Sequence, residues 1–211
     1  MYKSVLLKAL AAVAALSLFS TSVAAFEQGS WVVRAGVHSV QPKSDNGEIA
    51  ALAADVEVDS AEQLTFGVTY MATDRWGIQL LAALPFEHDI DIGGANLAST
   101  KHLPPTLTAN YHFIKNSKVN AYFGVGLNAT LFFEEDTRGA IAGAELELDT
   151  SYGAAAVFGI DFTINDKWFV GGDLRYFDID TDAKVTAPGL SLSETVEIDP
   201  WAVGLRVGYR L

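Results

Sequence analysis

Six ionisable side chains in this sequence sit where charge is least expected. Arg34, His38, Asp161, Asp173, Arg175 and Arg206 lie in segments rich in Val, Leu, Phe and Trp, on the alternate parity that otherwise carries Gly, Ala, Thr and Asn. Charges confined to a narrow interior must pair with one another. Arg34, His38, Asp161, Asp173 and Arg206 therefore read as a salt-bridge plug that blocks ion flow, in preference to an ion-selective pore. His88 and His102 flank a loop that holds Ser99, a combination that nucleophilic hydrolysis would require. No Gly-x-Ser-x-Gly elbow occurs and the long loops hold no other His. The two imidazoles read as ordinary rim residues, and no enzymatic activity is expected. Asp178, Asp180 and Asp182, with Glu134-Glu135-Asp136, offer hard oxygen ligands for divalent cations that bridge lipopolysaccharide phosphates. Their spacing fixes no coordination geometry, so they are read as a solvated acidic rim, with neither metal nor cofactor expected.

The segments that must position these groups show period two. Trp201, Val203, Leu205, Val207, Tyr209 and Leu211 alternate with Pro200, Ala202, Gly204, Arg206, Gly208 and Arg210. Ala121, Phe123, Val125, Leu127, Ala129, Leu131 and Phe133 alternate with smaller and more polar residues. Strict alternation predicts strands. Comparable runs begin at Trp31, Leu64, Trp76, Leu107, Leu148 and Trp168, giving eight strands in all. The connections at Thr73-Asp74-Arg75, Lys115 to Lys118 and Asn165-Asp166-Lys167 are tight; those around 43–58, 88–101, 134–147 and 180–193 are long. Alternating long and short connections with an even strand number are the plan of a transmembrane β-barrel, with short periplasmic turns and long extracellular loops. A soluble barrel would carry a Lys- and Glu-rich outer coat. Trp31, Trp76, Trp168 and Tyr209 at the tight-turn end, with Phe86, Phe132 and Phe133 toward the long loops, fit interfacial aromatic girdles.

Composition agrees. The chain has 211 residues, 50% hydrophobic, with 14 basic and 26 acidic side chains, a formal net charge of -12 and no cysteine. That balance excludes a nucleic-acid partner, and the missing thiols exclude disulfides and thiolate metal sites. Lys3 and Lys8 precede an apolar run from Ala9 to Phe19 and the small residues Val23-Ala24-Ala25, the signature of a secretory signal peptide over residues 1–25. The run is too short for a helical span, which needs about twenty residues. A single barrel domain over residues 26–211 remains.

The residues also resemble the outer membrane protein W family of Gram-negative bacteria over essentially the whole mature chain. The resemblance rests on Arg34-Ala35-Gly36, Thr69-Tyr70-Met71-Ala72-Thr73-Asp74, Leu80 to Ala83 with Pro85-Phe86, His102-Leu103-Pro104-Pro105-Thr106, Phe132-Phe133, Tyr152 to Ala155, Asp178 to Thr181 and Asp199-Pro200-Trp201. It implies an all-β, eight-stranded antiparallel barrel in the outer membrane, in contact with lipid and lipopolysaccharide. It also implies a narrow, largely apolar channel through which small hydrophobic molecules diffuse. Leu81 falls where the resemblance places part of the apolar constriction, with Ala83 beside it. Arg175 stands where an aromatic is expected and adds a charge to that lining. Such barrels usually end on an aromatic that the barrel assembly machinery reads; this chain ends Tyr209-Arg210-Leu211.

Proline has no backbone donor and is normally excluded from interior strands. Pro85 lies in the third strand and Pro104-Pro105 in the fourth, and a hairpin centred near residue 95 would set Pro85 opposite Pro105. Such a seam predicts a place where the wall opens and releases a hydrophobic solute sideways. The competing expectation is a structural or surface-receptor barrel, contacting phage, host or lipopolysaccharide, without transport.

Overall fold

The computed structural model describes residues 26–49 and 54–211; the expected signal peptide at 1–25 lies outside the described residues. In chain order the strands are β1 (Trp31–Gln41), β2 (Glu48–Ile49), β3 (Ala54–Val58), β4 (Ala61–Met71), β5 (Trp76–Ala83), β6 (Phe86–Ile92), β7 (Ala95–Leu103) and β8 (Thr106–Lys115). They continue with β9 (Val119–Thr137), β10 (Glu145–Leu148), β11 (Ser151–Thr163), β12 (Trp168–Phe177), β13 (Asp180–Ala187), β14 (Leu190–Glu197) and β15 (Trp201–Arg210). Strands β1, β4, β5, β8, β9, β11, β12 and β15 pair antiparallel in that order, and β15 closes on β1 with Val33 opposite Tyr209 and Val37 opposite Leu205. The result is a closed eight-stranded barrel.

Period two decides which way each side chain faces. Leu64, Phe66, Val68 and Tyr70 of β4 point outward while Thr65 and Thr69 are buried. On β9 and β15, Val125, Leu127 and Leu205 are 65%, 72% and 69% exposed. An apolar coat of this kind requires hydrocarbon around it. The coat ends where Glu62 follows Leu64 outward on β4 and where the Lys101–Glu134 ion pair follows Leu131. At the tight-turn end Trp31, Trp76 and Trp168 pair with Tyr70, Tyr111 and Tyr209 at ring separations of 5.0, 5.1 and 4.8 Å.

Above the apolar coat the wall continues, and here the sequence expectation needs correction. The stretches around 88–101 and 180–193 are hairpins, β6/β7 and β13/β14, and β10 pairs with β13. Their charged outward faces resemble loop composition, yet Val185, Leu192 and Val196 keep period two. Ile92 pairs with Ala95 across Gly93-Gly94, both at positive φ (59° and 78°), a turn geometry that glycine adopts without strain. The first loop stitches the rim together: the Asn46 side chain donates to the Glu197 carbonyl at 2.9 Å and accepts from the Val58 N–H at 3.0 Å.

Facing also changes at one point along the third wall segment. Leu84 points outward but Phe86 is buried, so the parity flips at Pro85, and Phe86 leaves the girdle for the interior. Phe132 turns inward too, beside His102. Inside lie two apolar clusters: Phe26, Val32, Met71 and Phe169 at the periplasmic end, and Val40, Ala61, Phe86, Ala155, Phe177, Ile179 and Ala202 near the extracellular end.

Candidate functional site: a charge plug beneath an apolar chamber

Between the two clusters the lumen is filled by one continuous hydrogen-bonded network. Asp161 accepts from Arg34 at 3.2 Å, from Arg206 at 3.0 Å and from Asn120 at 3.1 Å. Asp173 accepts from Arg206, from Arg175 at 2.8 Å and from His38 Nε2 at 2.8 Å. Arg175 reaches across the lumen to Gln79 Oε1 at 2.9 Å, Arg34 donates to Thr69 at 2.7 Å, and His38 Nδ1 meets Thr65 at 2.6 Å. The arginine and aspartate side chains of this network are at most 4% exposed. Burial on this scale is tolerable because each charge has several partners. Gly204 makes room for it, since a Cβ there would stand 2.3 Å from His38 Nε2 and 2.5 Å from Asp173 Oδ1. A void of about 10 Å³ lies beside Gln79 and Leu81, space for a single water.

The structure thus brings Arg34, His38, Asp161, Asp173 and Arg206 together and adds Arg175, which lies two residues from Asp173 on the same face. Leu81 borders the charged network. Ala83 packs against the upper apolar cluster.

Above that cluster opens a cavity of about 130 Å³ whose wall is mostly Val, Ile and Leu from β3, β6, β10, β13 and β14. Apolar concavity with a few polar groups is the ordinary form of a small-molecule site. Beside its base the wall ladder is interrupted. Pairing of β5 with β8 ends at Leu81 opposite Thr106 and resumes between β6 and β7 at Phe86 opposite His102. That register sets Pro85 nearest Leu103 and Pro104, so the expected Pro85–Pro105 opposition is shifted; the two-residue turn centres the hairpin near residue 94 rather than 95. The proline carbonyls bond away from the seam: Pro85 accepts from Gln63 at 3.0 Å, Pro104 from the Thr106 hydroxyl at 2.8 Å and Pro105 from the Ala129 N–H at 3.0 Å.

A model of the OmpW family matches residues 27–211. The chain belongs to the OmpW family. It is 39% identical to outer membrane protein W of Vibrio cholerae over 95% of this chain and 96% of that one, and 40% identical to that of Salmonella typhimurium over 95% and 97%. Its fold is similar to the crystal structure of OprG from Pseudomonas aeruginosa, with a TM-score of 0.82 and 32% identity over 90% of this chain and 99% of that one. This OmpW-family barrel is an integral outer-membrane protein of a Gram-negative bacterium, with its wall in contact with lipid.

The other chemistry-bearing residues of this OmpW-family protein lie on the extracellular extension. Ser99 is held by Arg138 at 2.5 Å, and Arg138 also pairs with Asp89 at 3.3 Å. No hydrogen bond joins Ser99 to His88 or His102 among the described residues. Asp178 and Asp180 are joined by Asp199 rather than by Asp182, whose carboxylate accepts from Thr195 at 2.8 Å. Partial burial, then Asp199 and Asp178, push the Asp180 carboxyl above its ordinary value.

The chamber wall and the inward Phe86, Phe132, Ile179 and Ile198 are what sequence reasoning missed. The signal was present as weak period two in β13 and β14, masked by their charges.

Proposed function

We propose that this barrel admits small hydrophobic molecules from outside into the apolar chamber and releases them sideways into the membrane through the seam at Pro85, Pro104 and Pro105. The observation that carries the reading is the juxtaposition of an apolar chamber, a sealed floor and an unpaired stretch of wall. A solute in the chamber meets buried paired charge below it, and desolvating against that network is costly. At the seam no ladder hydrogen bond has to break. Leu81 and Ala83 line the base of this route, and Arg175 belongs to the floor. Residues 1–25 act as the signal peptide in this reading, and cleavage before Phe26 leaves that ring to close the periplasmic end against Phe169 at 5.6 Å. The assembly machinery would read β15, and lipopolysaccharide would surround the rim.

The test is uptake by liposomes that hold the refolded barrel, comparing a small hydrophobic tracer with a polar one of similar size. Faster hydrophobic uptake alone is expected. The paired substitution Pro104→Thr and Pro105→Val should restore ladder bonds and slow it several-fold; unchanged uptake in that variant refutes lateral release. The completeness of the plug favours a second reading, a structural or surface-receptor barrel without catalysis or transport. No acceleration of either tracer selects it.

A further inference from the structure

The chamber wall is mostly apolar, and among the polar groups that interrupt it are two imidazoles beside four threonines and two glutamates. His88 and His102 stack with ring centroids 4.9 Å apart and planes inclined by 12°, and both line the cavity beside Ile90, Ile92 and Val56. Phe86 lies against His102 at 5.3 Å and so braces the pair. The tautomer of His88 follows from its partner. Nδ1 lies against the backbone carbonyl of Asp59. A carbonyl only accepts, so Nδ1 carries the proton and Nε2 presents a lone pair. Nε2 is buried and has no hydrogen-bond partner. Burial lowers the pKa of both rings, that of His102 to about 3, so they remain neutral at ordinary pH. The charged residues of the described lining are Glu48 and Glu194, and no Lys or Arg is among them.

These features discriminate between classes of hydrophobic ligand. A plain hydrocarbon fills the cavity but leaves Nε2 unpaired. A carboxylate offers no proton and meets no cation. A hydroxyl on an otherwise apolar body satisfies the acceptor and loses little elsewhere. We propose that the chamber is a binding site for neutral amphiphiles bearing one hydroxyl, alcohols or phenols, whose O–H donates to His88 Nε2 while the hydrocarbon lies against the Ile, Val and Leu wall. The inference rests on the uptake reading for the role of the chamber, and narrows the solutes from hydrophobic molecules in general to this class.

The experiment is equilibrium binding to the intact barrel in lipid nanodiscs, with empty nanodiscs as background, using naphthalene, 2-naphthol and 2-naphthoate. The unmodified barrel should bind 2-naphthol about tenfold more tightly than naphthalene, the scale of one hydrogen bond to an otherwise unpaired buried acceptor. Naphthoate should bind more weakly than either. His88→Phe keeps an aromatic ring against His102 and removes the acceptor, so the preference for naphthol should vanish while naphthalene binding persists. The nitrogen-15 resonance of His88 Nε2 in the unmodified barrel provides a second readout that needs no variant: it should move upfield with 2-naphthol and stay fixed with naphthalene. Equal affinity for naphthol and naphthalene with a static Nε2 resonance overturns the proposal and leaves the hydrophobic chamber standing. No saturable binding of any probe overturns both.

Discussion

Asp173, like Asp161, ties three side chains of the plug together. Its carboxylate faces His38, Arg175 and Arg206, and it is fully buried at the side chain. Asp173→Ala would strand these donors in the barrel interior, and breaking a buried ion network from one side costs about 3–5 kcal/mol. Unfolding in guanidinium, followed by the shift in gel mobility of the unheated barrel, should show that loss. Lys184→Ala, which removes an exposed pair with Asp149 at 3.7 Å, should change stability by less than about 0.5 kcal/mol. A second residue-scale prediction concerns acid. His102 stays neutral in the fold down to about pH 3, whereas an unfolded imidazole protonates near 6.5. Above 6.5 neither state binds the proton. Between 6.5 and about 3 only the unfolded state does, so stability falls with pH by up to about 1.4 kcal/mol per unit, and levels off below. The drop in the unfolding midpoint between pH 7 and pH 4 should therefore be smaller in His102→Phe than in the unmodified barrel. At this scale much was legible, because a charge on the small-residue parity of an apolar strand has few other places to go. Gln79, Thr65, Thr69 and Asn120 were not, since a neutral polar residue on that parity looks like any lumen filler. Arg175 was assigned to an apolar constriction instead of to the network, because the resemblance placed an aromatic there.

Strands and tight turns were readable wherever one face meets lipid, since hydrocarbon enforces period two strictly. Where the wall rises into water, both faces tolerate polar residues and the pattern blurs, which hid β6, β7, β10, β13 and β14 inside stretches that read as loops. The parity flip at Pro85 was hidden for another reason: a single unpaired residue rotates every later side chain to the opposite face, and pattern counting carries the old parity through it. Strand register also controls the site. Gly204 on β15 lies opposite His38 on β1 and Asp173 on β12, and the absence of a side chain there is what lets both groups reach the lumen centre. Gly204→Ala should push the two apart, destabilising the barrel by about 1–3 kcal/mol. It should also raise ion leakage in planar bilayers. Preserved stability with unchanged leakage would show that the network repacks around the added methyl.

For the molecule as a whole, the two halves of the lumen are predicted to separate two kinds of traffic. An eight-stranded barrel leaves an interior that its own side chains can fill. Here they fill it with paired charge below and leave it open and apolar above. Arg175 and Gln79 bridge the lumen beside a small void in the plug, so the double substitution Arg175→Ala and Gln79→Ala removes the span that closes it. Neither residue lines the chamber, and neither belongs to the proline seam. The double variant should therefore pass small ions measurably in a planar bilayer, where the unmodified barrel passes few, while its uptake of a hydrophobic tracer into liposomes stays within about twofold of the unmodified rate. Ion current rising together with hydrophobic uptake would mean that solutes travel along the barrel axis and that the seam is not the exit. Absence of current would mean that Arg34, Arg206 and the two aspartates close the lumen unaided, and the charge floor would then be a more robust seal than the Arg175–Gln79 bridge alone.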